Sequence, residues 1–304
     1  MPKAYVFTRY GGPEVEALVD VDRPSPGPGQ VLVAVRAAGV NPVDWKQRTG
    51  YRRPGESGER DFPAYFGNEV SGVVEEVGEG VEGFAVGDAV FGRPVVGGYS
   101  AYALLSVDLI AHKPDALSFT DAATLPVAAV TAYDGISQLD LPAGATVLVT
   151  GAGGGVGVAA VQIARALGLR VVGLASEAKK DFVATLGAEH VASGPGWTGR
   201  VKGDVDGVYD LVGGDVLEEA ATLLTDRTRL ITAGAPPEVV EKLGGARVAR
   251  VRTSERLTAV ADLVVRGDLD PHVTRTFPLE RAGEALRTVE KGHTRGKIVI
   301  EVAQ

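Results

Sequence analysis

Between Asp140 and Arg165 the chain carries no charged residue. Such a window admits three readings: a membrane span, a buried structural hairpin, or a strand and helix joined by a turn shaped around an anion. Its glycines decide against the first. Five of the seven residues from Gly151 to Gly157 are glycine, and in mid-helix each would cost roughly 1 kcal/mol relative to alanine. The flanks agree, with a turn sequence, LPAG, at 141–144 and Gly168 where a helix should stop. The window predicts a strand ending at Thr150, a glycine turn, and a helix over 156–167.

The sequence on either side extends that unit. Apolar, β-branched runs at 145–150 (ATVLVT), 169–176 (LRVVGLAS), 206–213 (DGVYDLVG) and 228–234 (TRLITAG) alternate with amphipathic stretches such as EAKKDFVATLG and GDVLEEAATLL. Alternation of this kind predicts right-handed β-α-β crossovers on a parallel sheet. The first 120 or so residues read differently. There, short alternating runs (QVLVAVRAAGV, VSGVVEEVG, YSAYALLS) are separated by Gly and Pro clusters, the pattern of a compact antiparallel β domain. The fold class is therefore α/β, with a β domain over 1–121 and 271–304 and a doubly wound Rossmann domain over 122–270.

Glycine at a strand-to-helix turn lets backbone N–H groups approach a diphosphate at the positive end of the helix. The register that fits is A-x-G-x-x-G, with Ala152, Gly154 and Gly157 in the three positions and Gly155 and Val156 between them. A P-loop is excluded, because no Gly-Lys-Ser/Thr follows. The second strand ends at Ser176 with no acid at its tip to receive the ribose hydroxyls of NAD. Ser176, with Lys180 and Lys179, instead offers a hydroxyl and cations to a 2′-phosphate, at about 1.5–3 kcal/mol per charge-assisted bond. The expected cofactor is NADPH. The plainer alternative is a solvated helix face, with Glu177 a first-turn acid pointing to water.

Composition narrows the partners. A net charge of -8 argues against broad binding to nucleic acid, and the chain has no cysteine, which removes thiolate chemistry and Cys-ligated metal sites. No ligand pair such as H-x-x-x-H occurs among the four histidines, so no metal is expected. MPKAYVFTRYGG at the start lacks the apolar core of a signal peptide, and the expected setting is cytoplasmic, with no membrane partner.

Several stretches, taken together and in order, carry a resemblance: GVNPVDWKQRTG, GNEVSGVVEEVG, VGDAVFG, AATLPVAAVTAYDGI, the glycine window itself, and LGAEHV. The chain resembles the zinc-independent quinone oxidoreductases of the medium-chain dehydrogenase/reductase superfamily, the zeta-crystallin-like group. That resemblance implies a GroES-like β domain with the Rossmann domain, and a homodimer. Zinc-dependent alcohol dehydrogenases of the superfamily carry a cysteine near GVNPVD and a histidine in Gly-His-Glu. Here Asp44 lies in the first stretch and Asn68 replaces the histidine.

The resemblance also assigns residues. Asn41 matches the family's active-site asparagine, with its amide on the substrate carbonyl or on the nicotinamide; as a turn residue before Pro42 it has an ordinary explanation too. Tyr51, in the same region, is a proton donor or a stacking surface. Thr131 matches a nicotinamide-contacting position. Val212, Gly234 and Ala235 end Rossmann strands along the cofactor path, and Arg295, with Lys297, precedes the last strand where it can reach the cofactor or simply face solvent. Without a metal, hydride transfer suits an acceptor that is already electrophilic, a quinone or an α,β-unsaturated carbonyl. The expected activity is an NADPH-dependent reductase of such small molecules. The alternatives are an NADPH-binding structural or regulatory protein with little turnover, and a zinc alcohol dehydrogenase.

Overall fold

The computed structural model describes residues 1–52, 58, 60–292 and 294–303. Two compact units emerge: Met1–Val127 with Arg252–Ala261 and Val273–Gln304, and Ala128–Val251 with Asp262–His272.

The first unit is built on β1 (Lys3–Phe7), β2 (Glu16–Asp20), β3 (Gln30–Val40), a short helix α1 (Pro42–Arg48), β4 (Ala64–Tyr65), β5 (Val70–Val77), β6 (Ala89–Val96), β7 (Tyr102–His112) and the single-turn α2 (Phe119–Ala122). β3, β5, β6 and β7 pair antiparallel in that order, and β7 pairs back onto β3, closing a small barrel. Period-two alternation puts Val31, Val33 and Val35 of β3 into one buried cluster with Phe7, Phe66 and Tyr99. β1 carries its own three-stranded sheet, β2-β1-β4.

A π-helical turn (Leu125–Ala129) carries the chain from the first unit into the second, where α3 (Val130–Gln138) follows. Then follow β8 (Thr146–Thr150), α4 (Gly155–Ala166), β9 (Arg170–Ala175), α5 (Lys180–Thr185), β10 (Glu189–Ala192), β11 (Gly207–Asp210), α6 (Gly214–Ala221), β12 (Leu230–Thr232), α7 (Pro237–Lys242) and β13 (Ala246–Arg247); α8 (Ser254–Val265) belongs to the first unit up to Ala261 and to the second from Asp262. The six strands are parallel, in the order β10-β9-β8-β11-β12-β13. This is the doubly wound arrangement, with its reversal of strand order between β8 and β11. β8 is buried along its whole length, as a central parallel strand covered on both faces must be.

The chain returns to the first unit as β14 (Val273–Pro278), α9 (Ala282–Glu290) and β15 (Lys297–Glu301). β15 lies antiparallel to β3 and parallel to β14, extending the barrel sheet. A buried arginine ties these late elements to the early ones. Arg48 of α1 is fully buried; its guanidinium pairs with Glu16 of β2 and, at 2.9 Å, with Glu290 of α9, and its Nε donates to Gly11 O at 3.2 Å. No helix among the described residues is long and apolar enough to cross a membrane.

Candidate active site

On the Rossmann unit, the C-terminal ends of four adjacent strands converge. β8 runs into the glycine turn. Gly151 takes φ +65, which only glycine adopts without strain. Gly154 caps α4 in extended conformation, and its N–H donates to Gly151 O at 3.0 Å. A Cβ on Gly157 would stand 2.7 Å from Ala152 Cα and nearer still to Gly151 O, so this glycine lets the helix close onto the turn. A Cβ on Gly154 would meet only Gly151 O, at 3.5 Å. The first is a packing glycine; the second faces open space beside the helix N-terminus.

Neighbouring strand ends crowd the same rim. Asp210, fully buried at the end of β11, accepts from Thr150 Oγ1 of β8 at 2.7 Å and Thr232 Oγ1 of β12 at 2.6 Å. It also accepts from the N–H groups of Val212 and Gly213. One carboxylate thus fixes three strand ends at the point where strand order reverses. The loops above it pack backbone to backbone: a Cβ on Gly234 would lie 2.7 Å from Val212 N, and one on Gly213 2.9 Å from Gly234 O. Val212 is 51% exposed on this rim, whereas Ala235 is buried.

After β9, Ser176 is an exposed cap on a turn spanning Glu177–Lys179. Lys179 Nζ reaches Gly153 O of the glycine turn at 3.5 Å. Lys180 instead pairs with Glu177 at 3.8 Å on the surface. Thr131, in α3, is buried; its carbonyl accepts from Tyr209 OH at 2.7 Å and its Oγ1 from Arg250 Nε at 3.1 Å. Two further residues on that face of α3 hold the adjacent backbone. Asp134 accepts from Val251 N at 2.8 Å, and Gln138 exchanges two hydrogen bonds with Ala249. The spacing 131, 134, 138 is one helix face, and it stitches 249–251 to α3.

On the β unit, the end of β3 and the start of α1 meet a buried polar cluster. Asp44 is fully buried and accepts from Asn41 N and Tyr99 OH, each at 2.8 Å, and from Asn68 Nδ2. Burial pushes its carboxyl above the ordinary value, against the donors that lower it. Burial and then the neighbouring carboxylate drive the Tyr99 hydroxyl well above its ordinary value, so it stays a donor. Alongside, Glu69 accepts from Lys297 Nζ at 2.7 Å, Asn41 Nδ2 at 2.8 Å and Val127 N at 2.7 Å.

Comparison with known proteins fits both halves. Residues 27–115 match the alcohol dehydrogenase GroES-like domain family and residues 186–300 the zinc-binding dehydrogenase family. The quinone oxidoreductase of Pseudomonas aeruginosa is 32% identical over 332 residues, covering 99% of each chain. The chain belongs to the zinc-independent quinone oxidoreductase-like family of the medium-chain dehydrogenases/reductases. The structure of the quinone oxidoreductase from Coxiella burnetii superposes with a TM-score of 0.93 at 32% identity, over 99% of both chains. The chain is also 35% identical over 316 residues to the spectinabilin polyketide synthase system protein NorB of Streptomyces orinoci, 95% of this chain but only 14% of that protein's length. Members of the oxidoreductase family bind a nicotinamide cofactor.

Zinc does not fit this member. Its ligands would come from Asp44, Asn68 and Glu69, but a carboxamide is a poor zinc ligand, and every carboxylate oxygen of the other two already accepts a protein hydrogen bond. Among the described residues no group of three His, Cys, Asp or Glu is placed to hold a metal. His293 lies outside them.

The residues singled out in the sequence fall into two groups. Ala152, Gly154, Gly155, Val156 and Gly157 form the turn and helix start, with Val212, Gly234 and Ala235 on the adjoining rim. Asn41 is buried on the β unit, and Tyr51 is exposed just past α1, where its N–H donates to Lys46 O at 2.9 Å. Residues 53–57 and 59 of that loop lie outside the described residues. Arg295 is exposed, and its carbonyl accepts from Thr274 Oγ1 at 2.7 Å. Lys297 corrects the solvated alternative: it is 3% exposed. Sequence reasoning missed Glu69, Asp210 and Arg250. A charge fused to an apolar run, as in GVYD and GNEV, was the available signal for the first two; Arg250 had none.

Proposed function

We propose that this chain is an NADPH-dependent reductase that delivers hydride to a quinone or an α,β-unsaturated carbonyl without a metal. The observation that carries this reading is the hydrogen-bonded Asp44–Asn68–Glu69 cluster, in which each carboxylate accepts from three protein donors. Where zinc enzymes would polarise an alcohol, this chain has carboxylates already committed to hydrogen bonds. Deprotonating a saturated alcohol needs a strong local positive charge; an electrophilic acceptor needs only alignment and donors to its developing oxyanion.

The glycine turn suits the diphosphate, because Gly154 leaves open space at a helix N-terminus. When bound, the cofactor supplies the hydride. Thr131 and the loops at Val212 and Gly234–Ala235 serve its nicotinamide half. Ser176 and Lys179 serve the 2′-phosphate, with Lys180 and Arg295 as outer cations. Asn41 supplies an N–H to the substrate oxygen, and Tyr51 serves the acceptor as proton donor or stacking surface. The β13 edge of the Rossmann sheet, which among the described residues pairs with β12 alone, is the proposed dimer seam.

The test follows NADPH absorbance at 340 nm, a general property of the cofactor, against 1,4-benzoquinone, 9,10-phenanthrenequinone and a set of alkenals and alkenones. Oxidation of NADPH by at least one acceptor, retained after chelator treatment, supports the reading. Tight NADPH binding with no oxidation across the panel would leave a cofactor-binding protein in its place. Sedimentation showing only monomer would remove the dimer.

A further inference from the structure

Asn41 is gripped by charge at both ends of its amide. Lys297 Nζ donates to Asn41 Oδ1 at 2.8 Å, to Glu69 Oε1 at 2.7 Å and to Val40 O at 3.2 Å, which uses all three ammonium hydrogens. Asn41 Nδ2 donates to the same Glu69 oxygen at 2.8 Å, and the other oxygen of Glu69 accepts from Val127 N at 2.7 Å. Asn41, Glu69 and Lys297 are 4%, 0% and 3% exposed.

The oxygen and nitrogen of an amide differ little in shape, so their positions follow from what surrounds them. Here the surroundings allow one choice. Flipping the amide would turn its NH2 toward an ammonium, which has no lone pair, and its oxygen toward a carboxylate, which has no hydrogen. Two attractive contacts would become two repulsive ones. The backbone is shaped to the same arrangement. A Cβ on Gly39 would stand 2.6 Å from Ala123 O and closer still to Glu69 Oε1, so the carboxylate sits against bare main chain.

One hydrogen of Asn41 Nδ2 is left over, and it forms no hydrogen bond among the described residues. We infer that Glu69 and Lys297 are positioning residues that lock the Asn41 amide in one orientation, so that this side chain offers the substrate a hydrogen-bond donor and never an acceptor. The ammonium on Oδ1 also polarises the amide, making the remaining N–H a stronger donor. A locked donor favours acceptors whose reduction leaves negative charge on oxygen, and disfavours ligands that present an N–H or O–H at that point. The inference rests on the proposed reading of Asn41 as a substrate-side residue.

The chain has two asparagines, Asn41 and Asn68, so asparagine-selective 15N labelling of the full chain yields two side-chain NH2 groups, each a pair of proton signals at one nitrogen shift. Loss of one pair in Asn41→Ala assigns it. In the wild type the Asn41 amide should exchange slowly with deuterium; in Lys297→Met exchange should accelerate about tenfold or more as the lock opens. In quinone reduction, Asn41→Ala and Lys297→Met should each lower kcat by about 10- to 100-fold, since one oriented donor is lost in both. The Kd for NADPH should stay within about twofold, and the Asn41→Ala/Lys297→Met pair should be no slower than Asn41→Ala alone.

Lys297→Met leaves Glu69 buried without its cation and can unfold the unit. Glu69→Gln/Lys297→Met, which removes both charges, is therefore measured beside it, with its melting curve. Loss of kcat in this folded double variant supports the lock. If its kcat stays within about twofold of wild type, no ionic lock is needed; the inference falls while the reading of Asn41 stands. If Asn41→Ala itself turns over like wild type, the reading of Asn41 falls and takes the inference with it.

Discussion

Replacing Gly154 by alanine separates a glycine kept for a ligand from one kept for packing. In the free protein the new methyl would meet only Gly151 O, at 3.5 Å, an ordinary contact, and the backbone at φ -91, ψ 173 suits alanine. Losing glycine as the cap of α4 costs about 0.5–1.5 kcal/mol, and stiffening the unfolded chain returns about 0.4–1 kcal/mol. The unliganded melting curve should barely move. A diphosphate on this helix N-terminus would lose or lengthen one charge-assisted N–H bond, about 1.5–3 kcal/mol, hence roughly 10- to 100-fold in NADPH affinity. At a ligand concentration about 100 times the wild-type Kd, stabilisation by NADPH of about 2.7 kcal/mol should fall to about 1.4 kcal/mol for a tenfold weaker variant. Fluorescence titration gives Kd directly, and melting with and without NADPH gives the second reading. Gly157→Ala is the contrast: its methyl would stand 2.7 Å from Ala152 Cα, so it should destabilise the free protein by about 1–3 kcal/mol. Wild-type NADPH affinity in Gly154→Ala would refute the assignment of this turn to the diphosphate.

Other outcomes follow from the same geometry. Lys179→Ala should raise KM for NADPH by roughly tenfold and leave KM for NADH nearly unchanged, while Lys180→Ala should do less; equal effects on the two cofactors would retire the 2′-phosphate assignment. Burial raises the Asp44 carboxyl above its ordinary value, so its contribution to stability is complete below the unfolded pKa and lost as pH rises through the folded one. The unfolding free energy of wild type minus that of Asp44→Asn should accordingly fall as pH is raised from the acid side; denaturant curves showing it rise would contradict the burial argument. Arg48→Ala removes the direct cation partner of Glu16, whose side chain is 1% exposed and keeps Tyr5 OH at 2.9 Å and Arg287 at 4.0 Å, and should cost about 3 kcal/mol in urea unfolding. A cost below about 1 kcal/mol, the range of surface pairs, would show that the pair is not buried in solution.

What the sequence disclosed depended on periodicity. The parallel sheet was legible because β8, β9, β11 and β12 are short apolar runs set between helix-length stretches, and the glycine turn because Gly151 and Gly157 each answer a local backbone demand. The antiparallel barrel was legible as alternation, though not its closure, since the β3–β7 pairing joins residues far apart in the chain. Side-chain chemistry was harder to read. Lys297 begins a strand near the C-terminus, and nothing local distinguishes it from a solvated lysine; its partners Asn41 and Glu69 lie 256 and 228 residues away. Lys179 and Lys180 are adjacent, and only the turn geometry after β9 sends one toward Gly153 and the other toward Glu177.

The polar cluster on the β unit shows how a metal position can be given up without losing its order. A zinc site needs several lone pairs aimed at one open point. Here most of those lone pairs face neighbours: Asp44 accepts from Asn41 N, Asn68 and Tyr99, and Glu69 from Lys297, Asn41 Nδ2 and Val127 N. Buried charges of this kind seldom add net stability, because desolvation consumes most of their attraction. Their effect is on geometry. With every other donor in the Lys297–Glu69–Asn41 set engaged, a single amide hydrogen remains, its direction fixed by two charges. A divalent metal can polarise a saturated alcohol, whereas one oriented N–H suits, on the proposed reading, a carbonyl oxygen on which conjugate hydride addition already places negative charge. On the proposed reading, the residues that commit this position to hydrogen bonds are the same ones that would narrow its chemistry toward quinones and enones.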